Sequence, residues 1–301
     1  DEKMVFPDGN AEPAGDDAFM VKTAQKMYHE ISPETGEFID FMIDHELMDL
    51  QNKPGKASTG YMTSLPSLKA PFVFSCFNHT IFDMQVLTHE LGHAFAGYMA
   101  MRSQPISDYY SESTDIAEIH SMSMEQFAYP YAEWFFGDQA DKFRFAHLQE
   151  ALTFVPFGVA VDEFQHICYA HPELTPKERT YQWHLLEEKY MPWRKYENDA
   201  FMERGGYWYH KLHIYLYPFY YINYTLTTMG AMEFKKKYAE DKAAAWQDYL
   251  NLCKTGGSRS YLETLRYANL SNPFEAGSVA RACGYAEDIL LKQIAEQAQN
   301  V

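Results

Sequence analysis

The sequence contains no apolar run approaching the roughly 20 residues that a membrane-spanning helix needs, so a spanning protein is not expected. It also lacks a basic surplus: 42 acidic residues stand against 25 Lys and Arg, a net charge of −17. Phosphate-rich partners require a cationic face, which argues against nucleic acid and against docking on anionic lipid. Cysteine is sparse. Cys76, Cys168, Cys253 and Cys283 lie far apart, with no Cys-x-x-Cys pair. Dispersed thiols argue against a cysteine zinc site and fit a reducing compartment, so a cytoplasmic location is expected. Repeats, low-complexity tracts and long linkers are missing too, which leaves 1–301 as a single domain. The opening Asp1-Glu2-Lys3 is polar rather than a secretory core and lacks a start Met, so the chain is expected to be a piece of a longer protein.

What is present is ample material for a core. At 47% hydrophobic and 22% charged residues the chain is not disordered. A chain of this size buries about three quarters of its surface on folding. The periodicity is mainly helical. Helices are expected over 18–30, from Pro33 to about Met48 behind the Ser32 cap, over 82–101 and over 111–128. Further helices are expected near 139–152, 157–170, 175–190, 218–233, 242–254, 259–270 and 278–298. Tyr61-Met62-Thr63 and the segment from Phe72 to Phe77 read as a small antiparallel pair. The fold class is therefore mainly α with a small antiparallel β element.

The sharpest chemical signal is Thr88-His89-Glu90-Leu91-Gly92-His93. On a helix, His89 and His93 are i and i+4, so both imidazoles leave one face and suit a single zinc ion, with Glu90 beside them as general base. Phe82, Met84, Val86, Leu87, Leu91, Phe95, Ala96 and Met99 make this helix apolar on most sides. Burying two imidazoles and a carboxylate without partners costs several kcal/mol, and a metal removes that cost. A catalytic zinc takes a third protein ligand and leaves one position open. Asp115, Glu118, Met122 and Glu125 form one stripe of an otherwise apolar helix. Glu118 is the expected third ligand, and Asp115 and Glu125 are expected to orient the imidazoles through their N–H groups. His120 is a rival that points away from the stripe.

Taken together, His89-Glu90-Leu91-Gly92-His93 and Asp115-x-x-Glu118-x-His120-Ser121-x-x-x-Glu125 resemble the zinc oligopeptidases of the thimet oligopeptidase and oligoendopeptidase F group, closest to the latter branch. That family carries Pro at the position of His120 and often His at the position of Ala96; neither is a zinc ligand there. The resemblance implies a zincin-like helical catalytic domain, one Zn2+ per chain and hydrolysis of short peptides. The run from Leu212 to Tyr224 resembles the family's His-then-tyrosines segment. Carried over, His213 and Tyr224 donate to the tetrahedral intermediate, with His210 as a rival to His213. Tyr217 and Tyr221 contact substrate, with Tyr220 as the alternative to Tyr221. Read without the resemblance, this run is a buried aromatic helix start with Pro218 in its first turn. Gly60-Tyr61 resembles the family segment whose edge backbone pairs with a bound peptide. By size the chain looks like the zinc-bearing C-terminal half, without the N-terminal lobe. Another single-zinc peptidase, such as an exopeptidase, and a peptide-binding module without turnover are the competing functions.

Overall fold

The computed structural model describes residues 5–57 and 59–299. In chain order it contains α1 (Asp17–Ile31), α2 (Pro33–Asp44), β1 (Met48–Asp49), β2 (Tyr61–Leu65), β3 (Ala70–Phe74), α3 (Phe82–Ser103), α4 (Thr114–Ala128), α5 (Ala132–Phe136) and α6 (Ala140–Ala170). There follow α7 (Pro176–Tyr190), α8 (Ala200–Glu203), α9 (Leu212–Leu216), α10 (Ile222–Glu240), α11 (Lys242–Thr255), α12 (Tyr261–Tyr267) and α13 (Ser278–Gln299). Local signals start several of them. Ser32 and Thr35 form a reciprocal capping box on α2, as do Thr175 and Glu178 on α7. The fold is mainly α, as expected, and among the described residues no helix is long and apolar enough to cross a membrane.

The expected antiparallel pair is present as β2 and β3, and a short β1 parallel to β3 makes the sheet mixed and three-stranded, in the order β1-β3-β2. Two expectations need correction. The second helix stops at Asp44, before Met48. Glu46 takes φ +53°, its N–H bonds Ile43 O, and Leu47 N–H reaches Met42 O. That is a helix-ending motif usually built on Gly, here built on Glu, so no glycine announces it. Finally, 139–152 and 157–170 are one helix, α6, running through Pro156. An interior proline costs about 3 kcal/mol. Burial on both sides of it offsets that cost. Leu148 and Val155 pack with Met229, Met232 and Ala282, while Phe157 and Phe164 pack with Trp183 and Trp208.

The main core is built where α3 and α4 meet α10 and α11. Leu91, Phe95, Ile119, Phe127, Phe234 and Tyr249 are fully buried there. Each such side chain contributes about 1.5–3 kcal/mol of burial. The crossing of α3 over α4 is close because residue 92 is glycine. A Cβ at Gly92 would lie 2.7 Å from Ser121 Cα and 3.0 Å from His120 O. This approach brings His89 and His93 on α3 within reach of Glu118 on α4.

Candidate metal centre

His89 Nε2 lies 3.1 Å and His93 Nε2 3.3 Å from Glu118 Oε2. The three ligand atoms all fall within 4.8 Å of one another. Ligand atoms bound to one tetrahedral zinc stand about 3.4 Å apart, from bond lengths of about 2.1 Å. The observed spacing and the N, N, O donor set therefore fit a zinc ion without rearrangement of either helix. Burial alone would raise the Glu118 carboxyl, yet hydrogen bonds from His89 and His93 hold it well below the usual carboxylate range. Ser121 Oγ donates to the same Glu118 Oε2 at 2.9 Å and fixes the carboxylate's rotation.

Behind the ligands, Glu125 Oε1 is 2.7 Å from His89 Nδ1. Its other oxygen is 2.6 Å from Nε2 of His147, a buried residue on α6. His147 escapes sequence reasoning because its partner sits on a different helix. The one local trace is a histidine between Ala146 and Leu148 in a segment that also carries Phe143 and Phe145. Asp115 does not join the cluster. It accepts from Ser113 Oγ at the start of α4, and no hydrogen bond or ion pair links it to either imidazole. His120 points to the opposite side, with Nδ1 3.0 Å from Glu112 Oε1.

Glu90, one residue along from His89, is buried, and its Oε2 has no hydrogen-bond partner among the described residues. Burial pushes its carboxyl up, against the opposing pull of His89 and His93. Gly60 leaves room for it: a Cβ there would lie 2.8 Å from Glu90 Oε1. Gly60 and Tyr61 share with His89, Glu90, His93, Glu118 and Tyr224 the walls of one open cleft of about 410 Å³. β2 is an edge strand of its sheet and borders this cleft.

The aromatic helix starts later than expected, at Ile222 rather than near 218. Pro218 lies in a turn between α9 and α10, not in a helix start, because Phe219 takes φ +60° and donates its N–H to Gln165 Oε1 at 2.8 Å. The turn gathers rings around His213, with Tyr221 at 5.1 Å, Tyr224 at 5.9 Å and Tyr220 at 6.0 Å between centroids. His210 instead packs on Tyr207 at 4.4 Å. Burial raises the Tyr224 phenol far above its ordinary value, so it is a proton donor across the physiological range. Burial and the nearby Lys211 charge lower the His213 imidazole. Tyr217 is exposed and Tyr220 half-buried, whereas Tyr221 is packed into the core against Phe154 and Phe157.

Residues 21–283 match peptidase family M3. The chain belongs to that family. It is 25% identical over 229 residues to the oligoendopeptidase F homolog of Borreliella burgdorferi, covering 74% of this chain and 38% of that protein. To oligopeptidase PepF of Bacillus subtilis it is 22% identical over 247 residues, covering 78% of this chain and 36% of the relative. The solved structure of PZ peptidase A with an inhibitor superposes with a TM-score of 0.89 at 49% identity, over 96% of this chain and 51% of that one. The M3 chain thus spans less than two fifths of the curated relatives it matches and about half of the solved one.

Proposed function

We propose that this chain is the catalytic part of a zinc-dependent endopeptidase acting on short peptides. The observation that carries the reading is the convergence of His89, His93 and Glu118 ligand atoms beside a buried, unpartnered Glu90 carboxylate in one cleft. Two imidazoles and a carboxylate form a donor set suited to zinc, which supplies Lewis acidity for acidifying water and polarising a carbonyl.

The chain's own residues do the rest. Glu90 takes a proton from the attacking water on its carboxylate and returns it to the leaving amine nitrogen. A carboxyl raised by burial suits both halves of that transfer. The Tyr224 hydroxyl and the His213 ring donate to the developing oxyanion, and their hydrogen bonds strengthen as its charge grows. Substrate backbone pairs with the free edge of β2 from Gly60-Tyr61 onward, a mode that accepts varied sequences. Tyr217 and Tyr220 meet the peptide's side chains, while Tyr221 supports them from the core. Glu125 orients His89. The remainder of the longer enzyme supplies the other wall of the channel. A cytoplasmic setting, consistent with the four unpaired cysteines, completes the proposal.

The test is cleavage of a fluorescence-quenched peptide blocked at both termini. Cleavage that chelator stops and zinc restores supports an endopeptidase. Failure with blocked ends and success with free ones would instead mark an exopeptidase. Glu90→Gln should keep its zinc and lose turnover by about 10²–10⁴.

A further inference from the structure

We propose that His147 is a positioning residue for the metal centre, holding the carboxylate that fixes His89. The inference rests on the zinc reading above. The Glu125 carboxylate bridges two rings, one per oxygen: His89 Nδ1 at 2.7 Å and His147 Nε2 at 2.6 Å. Both bridging residues are buried, Glu125 at 7% and His147 at 5% exposure, so water cannot replace either hydrogen bond cheaply. His147 Nδ1 is buried without a partner among the described residues. A neutral ring therefore carries its proton on Nε2, aimed at Glu125, because the other tautomer would strand an N–H and set a lone pair against a carboxylate. Phe143 stacks on the ring at 5.5 Å and 12°, which locks its plane.

The consequence reaches the metal ligands. With one Glu125 oxygen held by His147, the other stays in line with His89 Nδ1–H. That hydrogen bond leaves the Nε2 lone pair facing Glu118, where a metal would lie. Three helices, α3, α4 and α6, are thereby tied to one ligand. His147 is not among the residues that line the 410 Å³ cleft. It borders a separate cavity of about 200 Å³ behind His89, together with Glu125 and Gln126, so its influence runs through Glu125 and not through substrate.

The test compares His147→Leu, His147→Gln and His147→Asn by chelator competition for zinc and by the visible spectrum of the cobalt-substituted chain. The Gln amide can reach the Glu125 oxygen, Asn is too short, and Leu has no donor. Loss of an orienting partner of this kind costs about 10- to 100-fold in metal affinity. We expect that loss and an altered cobalt spectrum for Leu and Asn, with Gln close to wild type. A mere packing role gives the opposite order, because Leu suits the apolar surroundings better than Gln. Should Leu fail to fold, the Asn and Gln pair still decides. Wild-type affinity in the Leu or Asn variant overturns the proposal. A wild-type chain that takes up no zinc overturns the zinc reading itself, a separate outcome.

Discussion

Gly92→Ala tests whether the closeness of two helices builds the site. The added Cβ would stand 2.7 Å from Ser121 Cα, 2.9 Å from Met124 Cβ and 3.0 Å from His120 O. Carbon atoms pack at about 3.5–4.0 Å, so α4 must withdraw by about 1 Å. Two of the three obstacles are backbone, so no rotamer change relieves them. Overpacking of this kind costs about 1–3 kcal/mol. Alanine's better helix propensity returns up to about 1 kcal/mol. A net loss of up to about 2 kcal/mol should lower the metal-free melting temperature by a few degrees. The effect on the site is larger. Glu118 sits on α4 one turn before Met122, and metal sites tolerate about 0.2 Å of error in their bond lengths. A 1 Å retreat should weaken zinc binding at least as much as a lost orienting partner, about 10- to 100-fold. Gly97→Ala is the control on the same helix, since its Cβ meets only Met62 Cε at 3.4 Å and softer contacts. Chelator competition and thermal unfolding of metal-free protein read the two effects. Wild-type zinc affinity in Gly92→Ala would refute the reasoning.

Further variants separate chemistry from architecture. Gly60→Ala crowds chiefly the Glu90 carboxylate, with Val86 Cγ1 at an easier 3.4 Å, so kcat should fall while zinc content and melting temperature hold; an unchanged kcat would detach Gly60 from the base. Tyr224→Phe should lower kcat by about 10²–10³ without loss of zinc, and normal steady-state kinetics would remove the hydroxyl from the reaction. Lys235 is buried over the Tyr129 ring, and desolvation lowers its ammonium to about 7. Between that value and the 10.5 of an ordinary lysine, the unfolded chain binds the extra proton, so this group makes stability rise with pH. Lys235→Met should therefore stabilise the chain by a few kcal/mol at pH 7 and by progressively less towards pH 10, read from urea midpoints. A gap independent of pH would contradict that assignment.

Sequence legibility followed the range of the interactions. His89, His93 and Glu90 declare themselves because one helical period places them together, and Glu118 and Glu125 lie on the facing stripe. The Ser32 cap and the box of Thr175 with Glu178 are readable because their partners lie within one turn. His147 is not readable, since its bond to Glu125 crosses from α6 to α4. β1 is two residues held by pairing with Val73 and Phe74, and nothing local requires it. Pro156 and Pro218 mislead in opposite ways. Packing on both sides carries α6 through the first, whereas the Gln165 contact to Phe219 N–H makes a turn around the second. Asp115 has the right spacing for the stripe, but at the helix start Ser113 is the nearer partner. The roles proposed for His213 and Tyr224 come from the family resemblance, since periodicity alone reads that segment as the start of a helix.

The central claim is that two imidazoles of α3 and one carboxylate of α4 hold a single zinc. Zinc-edge X-ray absorption on reconstituted, purified chain measures that most directly. One zinc per chain with two nitrogens and one carboxylate oxygen at about 2.0–2.2 Å is the expected result, lost on His93→Ala. Protein that holds no stoichiometric zinc after reconstitution, or holds it equally well without His93, would contradict the account.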